Sequence, residues 1–588
     1  MQLALRTLRL VATLLAWSGG SLPLVAQDLR WQLPERGAAV YKRTLRAEQT
    51  TEPERAWVPG VWQDEAMFPA VLAVELAPDR QRRAERAYDP RDLLANLALD
   101  LRFTRAGKTR LEVETNNRFH PLQVDVVYGE PGADGSQSIE AVLEVDAKAA
   151  RVASTNPNLA KLRGKLRGHR GVDSAKGLVT NFSGTAEYTV DYPAFTEGTE
   201  VRPVRKQQIR ISDSWTLDAV LSPDDAEIRS RIVTAIRESI AALRKELTSK
   251  LEGSFTSDGD PYHNHQPGEL ALTLLALRRS GEDSRDPLMQ KGYDQLRQLA
   301  ISGSYELGVA ILAMEALYTP PGEWAAMRAG RIKVPMPRTP SPEDLAILQG
   351  WVKGLLDNID TTVDAAYVRR WHYGPSQSWD NSCTQYAQLG LYAASLCGVE
   401  ISPTVWTASI NHWLKCAKRG EASAPRITYQ RDLAKGSRTR GSISKLPSIG
   451  WSYQEGEPTG SMTTAGISGL SLCTSALRLQ KKGNPKLLAD ADAAVRGAFL
   501  WLEQNFSVRH NPGPHGSRSH WQLYYLYGLE RACELNQVAL LADRDWYFEG
   551  ALRLCSEQRA DGTWGSWVDT AFGLLFLKKT ALPAVTGR

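Results

Sequence analysis

The hydrophobic period of this sequence changes once, near residue 222, and that change constrains the fold more than any other feature. Before it, short runs such as 111–115 and 139–145 alternate apolar and polar residues. After it, apolar residues recur every three or four positions. Period two is typical of strands with one buried face, and a period near 3.6 is typical of amphipathic helices. The sequence therefore predicts a multidomain chain, an all-β half followed by an all-α half.

The alternating runs are separated by turn-forming residues. They cover 97–103, 111–115, 124–128, 139–145 and 209–215, and Gly or Asn marks several of the turns between them. Such spacing predicts an antiparallel β domain, a sandwich or a barrel-like sheet, over residues 27–221. This half holds no catalytic constellation that we can identify. We interpret the basic stretch 161–170 as a solvated loop.

Residues 222–254 are predicted to form a connecting amphipathic helix. Ser222 supplies a cap, Pro223 fits the first turn, and Asp224 and Asp225 suit the positive end of the helix dipole. Ile and Leu then follow in steps of three or four up to Leu251. The domain boundary is placed just before this helix.

The remaining region, 255–580, repeats one pattern six times. Each copy has a polar or Gly-containing start followed by a very apolar helix, and amphipathic segments lie between the copies. The copies are 265–277, 302–317, 380–396, 462–477, 520–529 and 569–577. Very apolar helices are buried and amphipathic ones cover them. Because helix pairs bury their faces only against neighbours, and a closed ring leaves no end uncovered, the pattern predicts an (α/α)6 toroid.

The first 26 residues are predicted to be a secretory signal peptide. Arg6 and Arg9 precede an apolar run at 10–17 that is too short for a bilayer of about 30 Å, and small residues lead up to Ala26. No later run reaches membrane-spanning length. We therefore expect an exported protein, periplasmic or extracellular, that is not an integral membrane protein.

The charge balance argues against a nucleic-acid partner. The chain has 71 Lys and Arg against 66 Asp and Glu, and a nucleic-acid-binding protein usually has a clear excess of positive charge.

All six cysteines lie in the helical half, at positions 383, 397, 416, 473, 533 and 555. In an exported protein they could form up to three disulfides, or they could be buried as small apolar side chains. Both possibilities stay open.

The helical half carries a recognisable motif. Residues 558–565 read Gln-Arg-Ala-Asp-Gly-Thr-Trp-Gly, which matches the Gln-x3-Gly-x-Trp core of a repeat found in squalene cyclases and protein prenyltransferases. Residues 379–386 and 460–466 look like the starts of other inner helices. Through these segments, residues 255–580 resemble the prenyltransferase and squalene-cyclase-like α/α-toroid family, as in exported cyclase-like toroid proteins of environmental bacteria. In this motif we interpret Gln558 and Trp564 as structural residues that hold neighbouring helix ends together.

The activities that the resemblance implies each need residues that this chain lacks. The cyclase acid Asp-x-Asp-Asp has only the broken string at 490–493, which the apolar pattern places on an outer helix. The zinc site of the prenyltransferases needs Asp-x-Cys, whereas Asp380 and Cys383 are one residue further apart. With His520 they form a weak candidate metal set. The thioester of complement-type toroids also fails, because Cys383 has no Gln three positions later. No cofactor is expected.

Carboxylates and aromatics at the starts of the inner helices are the remaining candidate site. In a toroid these starts converge on one mouth. Each carboxylate could serve only as a helix cap, or two could act as acid and base while aromatics stack on sugar rings. The candidate catalytic residues are Glu306, Asp380, Asp569 and His520. The candidate ligand-binding residues are Tyr305, Trp371, His372, Tyr373 and Trp379.

Three functions follow as alternatives. The leading one is an exported toroid protein that lacks the catalytic motifs of its relatives and acts as a binding or scaffold protein. Its partner would be an apolar ligand in the central cavity or a protein at the mouth. The second is a polysaccharide-acting hydrolase or lyase using the mouth carboxylates, and the third is a residual prenyltransferase or terpenoid cyclase. The basic segment 418–445 is predicted to be a long loop.

Overall fold

The computed structural model describes residues 36–52, 71–74, 93–113, 122–145, 161–192, 195–197, 200–202, 205–253, 265–374, 378–434, 445–513, 521–542, 544–581 and 583–585. The predicted signal peptide and the candidate residue His520 lie outside these ranges. Within them, an antiparallel sheet is followed by a largely helical region.

One eight-stranded antiparallel sheet forms the N-terminal half. Its order is β2-β1-β10-β7-β6-β5-β4-β3. The strands are β1 (Ala38–Glu52), β2 (Val71–Val74), β3 (Gly107–Val113), β4 (Leu122–Tyr128), β5 (Ser136–Val145), β6 (Lys161–Asp173), β7 (Leu178–Tyr192) and β10 (Arg205–Leu221), with β8 (Phe195–Glu197) and β9 (Glu200–Arg202) as a separate pair. The predicted antiparallel β domain is confirmed. The long strands that the structure describes belong to this single sheet, rather than to the two facing sheets of a sandwich.

A short helix covers one face of the sheet. All seven residues of α1 (Leu93–Leu99) are buried, and the helix packs on β6 and β7. Arg170, which is buried on β6, donates to the backbone carbonyls of Ala98 and Asp100, each at 2.8 Å. The predicted strand over 97–103 is therefore wrong. A brief run of Leu and Ala fits either period, and its place across an apolar sheet face favours the helix.

The basic stretch 161–170 is also not a loop, since it lies within β6. Arg163, Lys165 and Arg167 point to solvent, and the positions between them are buried. Gly164 is one of those buried positions and Gly168 is the next one along the strand, so the apolar half of the alternation is hidden in the sequence. A Cβ at Gly164 would lie 2.6 Å from the ring of Tyr188. Close approach of that ring to the backbone is the physical reason for glycine here.

After β10 the chain is largely helical. The helices are α2 (Ala226–Glu252), α3 (Gln266–Ser280), α4 (Pro287–Gln298), α5 (Ser304–Leu317), α6 (Glu323–Arg328), α7 (Pro342–Asp357), α8 (Asn381–Leu396), α9 (Pro403–Cys416), α10 (Gln430–Ala434), α11 (Gly460–Leu479), α12 (Pro485–Gln504), α13 (Gln522–Leu535), α14 (Trp546–Glu557) and α15 (Trp567–Lys578). None of the described helices is both long and apolar enough to cross a membrane.

Three short strand pairs interrupt the helices. They are β11 (Trp371–His372) with β12 (Trp379–Asp380), β13 (Lys418–Ser423) with β15 (Leu446–Gly450), and β14 (Ile427–Tyr429) with β16 (Val538–Leu541). The segment 418–445 is thus not a plain loop, because its described part contains β13, β14 and α10. Backbone pairing with β15 and β16 gives that basic segment its local order.

The six very apolar helices are α3, α5, α8, α11, α13 and α15, and they pack in sequence order. Each packs against the next, and α15 packs against α3. The approach of α5 to α8 is especially close, since a Cβ at Gly308 would lie 2.4 Å from the carbonyl oxygen of Tyr386. One apolar core runs through these helices and the amphipathic ones beside them.

Three tryptophans make the same pair of contacts, which we call the tryptophan staples. Each indole donates to a carbonyl near the end of the preceding amphipathic helix, and each Trp backbone N–H donates to a Thr hydroxyl at the start of the next apolar helix. The indole bonds join Trp371 to Leu355, Trp451 to Trp413 and Trp564 to Leu554, at 2.7, 2.9 and 2.8 Å. The backbone bonds reach Thr384, Thr463 and Thr570, at 3.1, 3.3 and 3.2 Å. Each staple ties one helix pair to the next.

The sheet contacts the helical region through its first and last long strands. A small apolar cluster joins Ala38, Val40 and Leu221 of the sheet to Ile228, Phe548 and Leu552 of α2 and α14. Ion pairs lie beside it, Arg36 with Asp545 and Arg231 with Asp218, each at 2.8 Å. The strand-to-helix change near residue 222 therefore lies at a packed junction.

Candidate functional site

Loop contacts bring the starts of α5 and α8 together. The Ser304 hydroxyl donates to the His372 carbonyl at 2.6 Å, and the Ser304 N–H donates to the Tyr373 carbonyl at 3.1 Å. The β11–β12 pair then links this loop to Asp380, the residue that precedes α8. The predicted site residues His372, Tyr373 and Asp380 thus lie around the two helix starts.

His265 and Glu306 form a close pair at the start of α5. The His265 Nδ1 lies 2.5 Å from a carboxylate oxygen of Glu306. The Glu306 side chain is 7% exposed and the His265 side chain 40% exposed. The hydrogen bond to this carboxylate raises the pKa of His265 above its ordinary value, and burial opposes that rise. One face of the pair remains open to solvent.

Asp380 caps α8 from a buried position. Its carboxylate accepts the Cys383 N–H at 2.7 Å, and the residue is 1% exposed. Burial raises the pKa of Asp380 to about 6, although this hydrogen bond opposes the rise. Burial also raises the pKa of the neighbouring Cys383 thiol, and the charges of Asp380 and Glu306 add to the effect. The carboxylates of Asp380 and Glu306 therefore both raise the pKa of the Cys383 thiol.

Asp569 lies in the first turn of α15, apart from the β11–β12 loop that joins the starts of α5 and α8. Its carboxylate accepts the Ser566 hydroxyl at 2.8 Å, while its backbone N–H donates to Ser566 at 3.0 Å. This reciprocal arrangement is a helix cap. The fourth predicted catalytic residue, His520, lies outside the described residues.

Trp371, Trp379 and His372, three predicted ligand-binding residues, differ in their surroundings. Trp371 is fully buried and forms one of the tryptophan staples. Trp379 is partly exposed, and the Arg370 guanidinium lies over its ring at 4.2 Å. His372 is buried and its Nδ1 has no hydrogen-bond partner among the described residues. Burial lowers the pKa of His372.

Aromatic side chains from four apolar helices meet below the helix starts, and we call them the central aromatic set. Its members are Tyr305 on α5, Tyr386 on α8, Tyr524 and Tyr527 on α13, and Phe572 on α15. Ring centroids lie 4.8 Å apart for Tyr305 and Tyr386, 6.3 Å for Tyr386 and Tyr524, 5.6 Å for Tyr524 and Phe572, and 5.7 Å for Tyr527 and Phe572. The rings thus form a continuous surface from α5 to α15.

One cation lies within this set. Arg531 on α13 is 3% exposed, and its guanidinium carbon lies 4.1 Å from the ring centre of Tyr527 and 5.6 Å from that of Tyr386. Such distances allow cation–π attraction to both rings. The hydroxyl of Tyr524 accepts a hydrogen bond from Gln385 at 3.2 Å, which is a second connection between α13 and α8 beside the ring contact of Tyr524 with Tyr386.

Sequence reasoning identified only Tyr305 among these residues. A usable signal was present in α13, where Tyr524, Tyr527 and Arg531 follow at spacings of three and four. That spacing places all three on one face of a helix. The partners on α8 and α15 carry no matching local signal, because their contacts depend on how the helices pack.

No group of three His, Cys, Asp or Glu side chains suited to a metal ion occurs in the described ranges. Of the weak candidate metal set, Asp380 and Cys383 lie together, because the Asp380 carboxylate accepts the Cys383 N–H. The third member, His520, lies outside the described residues. All six cysteines are free thiols, and Cys383, Cys397, Cys473 and Cys533 are buried. Of the two possibilities left open by the sequence, the structure has the one without disulfides.

Comparison with protein-family profiles and with curated proteins finds no match for this chain. The family resemblance therefore rests on the motifs given above. In the best copy, Gln558 donates to the carbonyls of Ala235 and Gly562 at 2.9 and 3.0 Å, and Trp564 forms a staple. Both contacts agree with the structural interpretation of that motif.

Proposed function

We propose that this chain is an exported protein whose helical region is an (α/α)6 toroid that binds a ligand without transforming it. The toroid is supported by the packing order of the six apolar helices, in which the last contacts the first. The three tryptophan staples support it further, because they repeat one connection between successive helix pairs. The motif at 558–565 agrees with the proposed family.

The observation that carries the binding function is the central aromatic set. Tyr386 and Tyr524 come from α8 and α13, which α11 separates in the packing order, and their rings still lie 6.3 Å apart. Aromatic side chains facing one another inside a helix assembly offer a large, rigid surface for an apolar ligand. We therefore place the ligand on this set.

Binding without turnover is supported by how the carboxylates are used. Glu306 pairs with His265, Asp380 caps α8 and Asp569 caps α15 through Ser566. A carboxylate that already serves a helix end or a neighbouring side chain is less available as acid or base. The structural roles of all three favour a ligand-binding site.

A neutral apolar dye tests the proposal on the purified protein. Nile red should bind saturably, with increased emission, and Tyr386→Ala should weaken its binding by about tenfold because that ring lies centrally in the set. Tyr367→Ala is the matched control, since Tyr367 is 62% exposed at the surface. Circular dichroism would establish that each variant is folded. Absence of saturable binding, or equal affinity in both variants, would contradict the proposal.

Polysaccharide cleavage is a second candidate because of the surroundings of Asp380. A raised pKa suits a general acid, and the partly exposed Tyr453 interacts with this carboxylate. Release of reducing ends from a panel of envelope polysaccharides, abolished by Asp380→Asn, would establish that activity. A panel without release would leave binding as the better proposal.

Export is proposed from residues 1–26. A protein processed after Ala26 begins at Gln27, so the intact mass of the protein recovered from the exporting cell tests this directly. A mass that includes Met1 would contradict it.

A further inference from the structure

Arg531 is a buried charge, and no well-formed hydrogen bond joins its guanidinium to the other residues that the structure describes. Its Nε, Nη1 and Nη2 atoms are all enclosed, and none of them has a partner of acceptable geometry among the described residues. A guanidinium has five N–H donors and stays protonated in proteins. Burying such a group unpaired costs several kcal/mol, so folded proteins normally supply an anion.

The groups around Arg531 only partly compensate for its charge. The rings of Tyr527 and Tyr386 face the guanidinium, and Tyr527, Tyr386 and Tyr524 all favour its charged form, Tyr527 through its hydroxyl group as well. The Tyr386 hydroxyl also has no hydrogen-bond partner among these residues. The carboxyl group of the adjacent Glu530 interacts electrostatically with Arg531, but no hydrogen bond joins the two side chains, and one of its oxygens accepts the Ala581 N–H at 2.9 Å instead. Donors are therefore in excess at this point of the central aromatic set.

An oxyanion would correct that excess. A carboxylate accepts two parallel N–H bonds from a guanidinium, and it can accept a further bond from a tyrosine hydroxyl. Arg531 is the one cation among the described residues that stacks on this set. A single positive charge in a dry site matches a single negative charge better than a doubly charged group.

The depth of Arg531 indicates the shape of the ligand. Trp521, just before α13, is 56% exposed and stacks edge-on against Tyr524. Arg531 lies ten positions after Trp521, which is about 15 Å along a helix axis. Tyr524 and Tyr527 lie between them on the same helix face, so their rings would line the path.

We propose that Arg531 binds the carboxylate of an elongated apolar monoacid whose body lies along Tyr524 and Tyr527 toward Trp521. This inference rests on the proposed ligand-binding function and adds the chemical class and orientation of the ligand. Because the guanidinium is enclosed, the rings of Tyr524 and Tyr527 must turn aside when the acid enters.

Three ligands with the same number of carbon atoms test the charge requirement. Calorimetric titrations of the intact protein with laurate, dodecanol and dodecyl phosphate should give laurate the highest affinity, by about tenfold or more over the alcohol. Equal affinity for laurate and dodecanol would overturn the role of Arg531 while leaving ligand binding intact. Failure of all three to bind would overturn both. Preference for dodecyl phosphate would overturn the carboxylate assignment.

Two variants locate the effect. Arg531→Met keeps an unbranched apolar stem and removes the guanidinium with its charge, so it should abolish the preference for laurate and retain dodecanol binding. Arg478→Met is the control, because Arg478 pairs with Asp492 at 2.8 Å on another helix. An unchanged laurate preference in Arg531→Met would refute the proposal. Should that variant not fold, the ratio of laurate to dodecanol affinity in the wild-type protein decides.

Discussion

Glu530 gives this protein a pH dependence of stability that can be worked out from its surroundings. The side chain is fully buried on α13, where one carboxyl oxygen accepts the Ala581 N–H at 2.9 Å. The other oxygen has no hydrogen-bond partner among the described residues. Burial raises the pKa of Glu530 to about 8, and the nearby carboxyl group of Glu534 adds to the rise.

The sign follows from the direction of this pKa shift. The folded-state pKa lies above the ordinary glutamate value of 4.5, so the folded protein holds the proton more tightly than the unfolded chain. The resulting stabilisation is present in full below about pH 4.5 and is lost as pH rises through about 8. At 1.36 kcal/mol per pKa unit, the loss amounts to about 5 kcal/mol at most.

Glu530→Gln isolates this contribution because an amide keeps an acceptor for the Ala581 N–H and does not ionise. We expect the free energy of unfolding of the wild-type protein to fall by a few kcal/mol more than that of the variant between about pH 5 and about pH 8.5. Urea denaturation at both pH values measures the difference, with Glu343→Gln as an exposed control. Identical pH slopes for wild type and Glu530→Gln would refute the reasoning.

Three further predictions concern the helical region. Trp451→Phe removes the indole bond of one tryptophan staple, so that a buried carbonyl loses its donor. The free energy of unfolding measured in urea should fall by about 2–4 kcal/mol. A loss below about 0.5 kcal/mol would contradict a stabilising role of the staple. Arg338→Met should cost about 3–5 kcal/mol in the same assay, because it leaves the buried Glu323 carboxylate without its guanidinium; an unchanged stability would contradict this. The NMR titration of His265 should give a pKa above 6.5 that falls in Glu306→Gln, and an unshifted titration would exclude the pair.

The two halves of the fold were predictable because their patterns are local. Alternation in 139–145 and steps of three or four after Ile228 each reflect one element with one buried face. Prediction failed where a pattern was hidden or ambiguous. Gly164 and Gly168 hide the buried side of β6, and the Leu-Ala run at 93–99 fits two periods until the sheet face beneath it favours a helix.

The candidate site was predictable only in part. A polar residue before an apolar helix marks a helix start, so Glu306 and Asp380 could be placed at the ends of α5 and α8. Nothing local says that Trp371 forms a staple while Tyr305 faces Tyr386. Those roles depend on which helices become neighbours.

The sequence by itself determined the division into a strand half and a helix half, the starts of α5 and α8 and the tryptophan motif at 558–565, because each depends on residues close together in the chain. Only the tertiary structure decided the central aromatic set and the surroundings of Arg531. Tyr386 and Arg531 lie 145 positions apart in the sequence, and their contact is created by the packing of α8 and α13 around a shared interior. Whether a buried charge has a hydrogen-bond partner depends on which distant residues meet in that interior, so it cannot be predicted from a local sequence pattern.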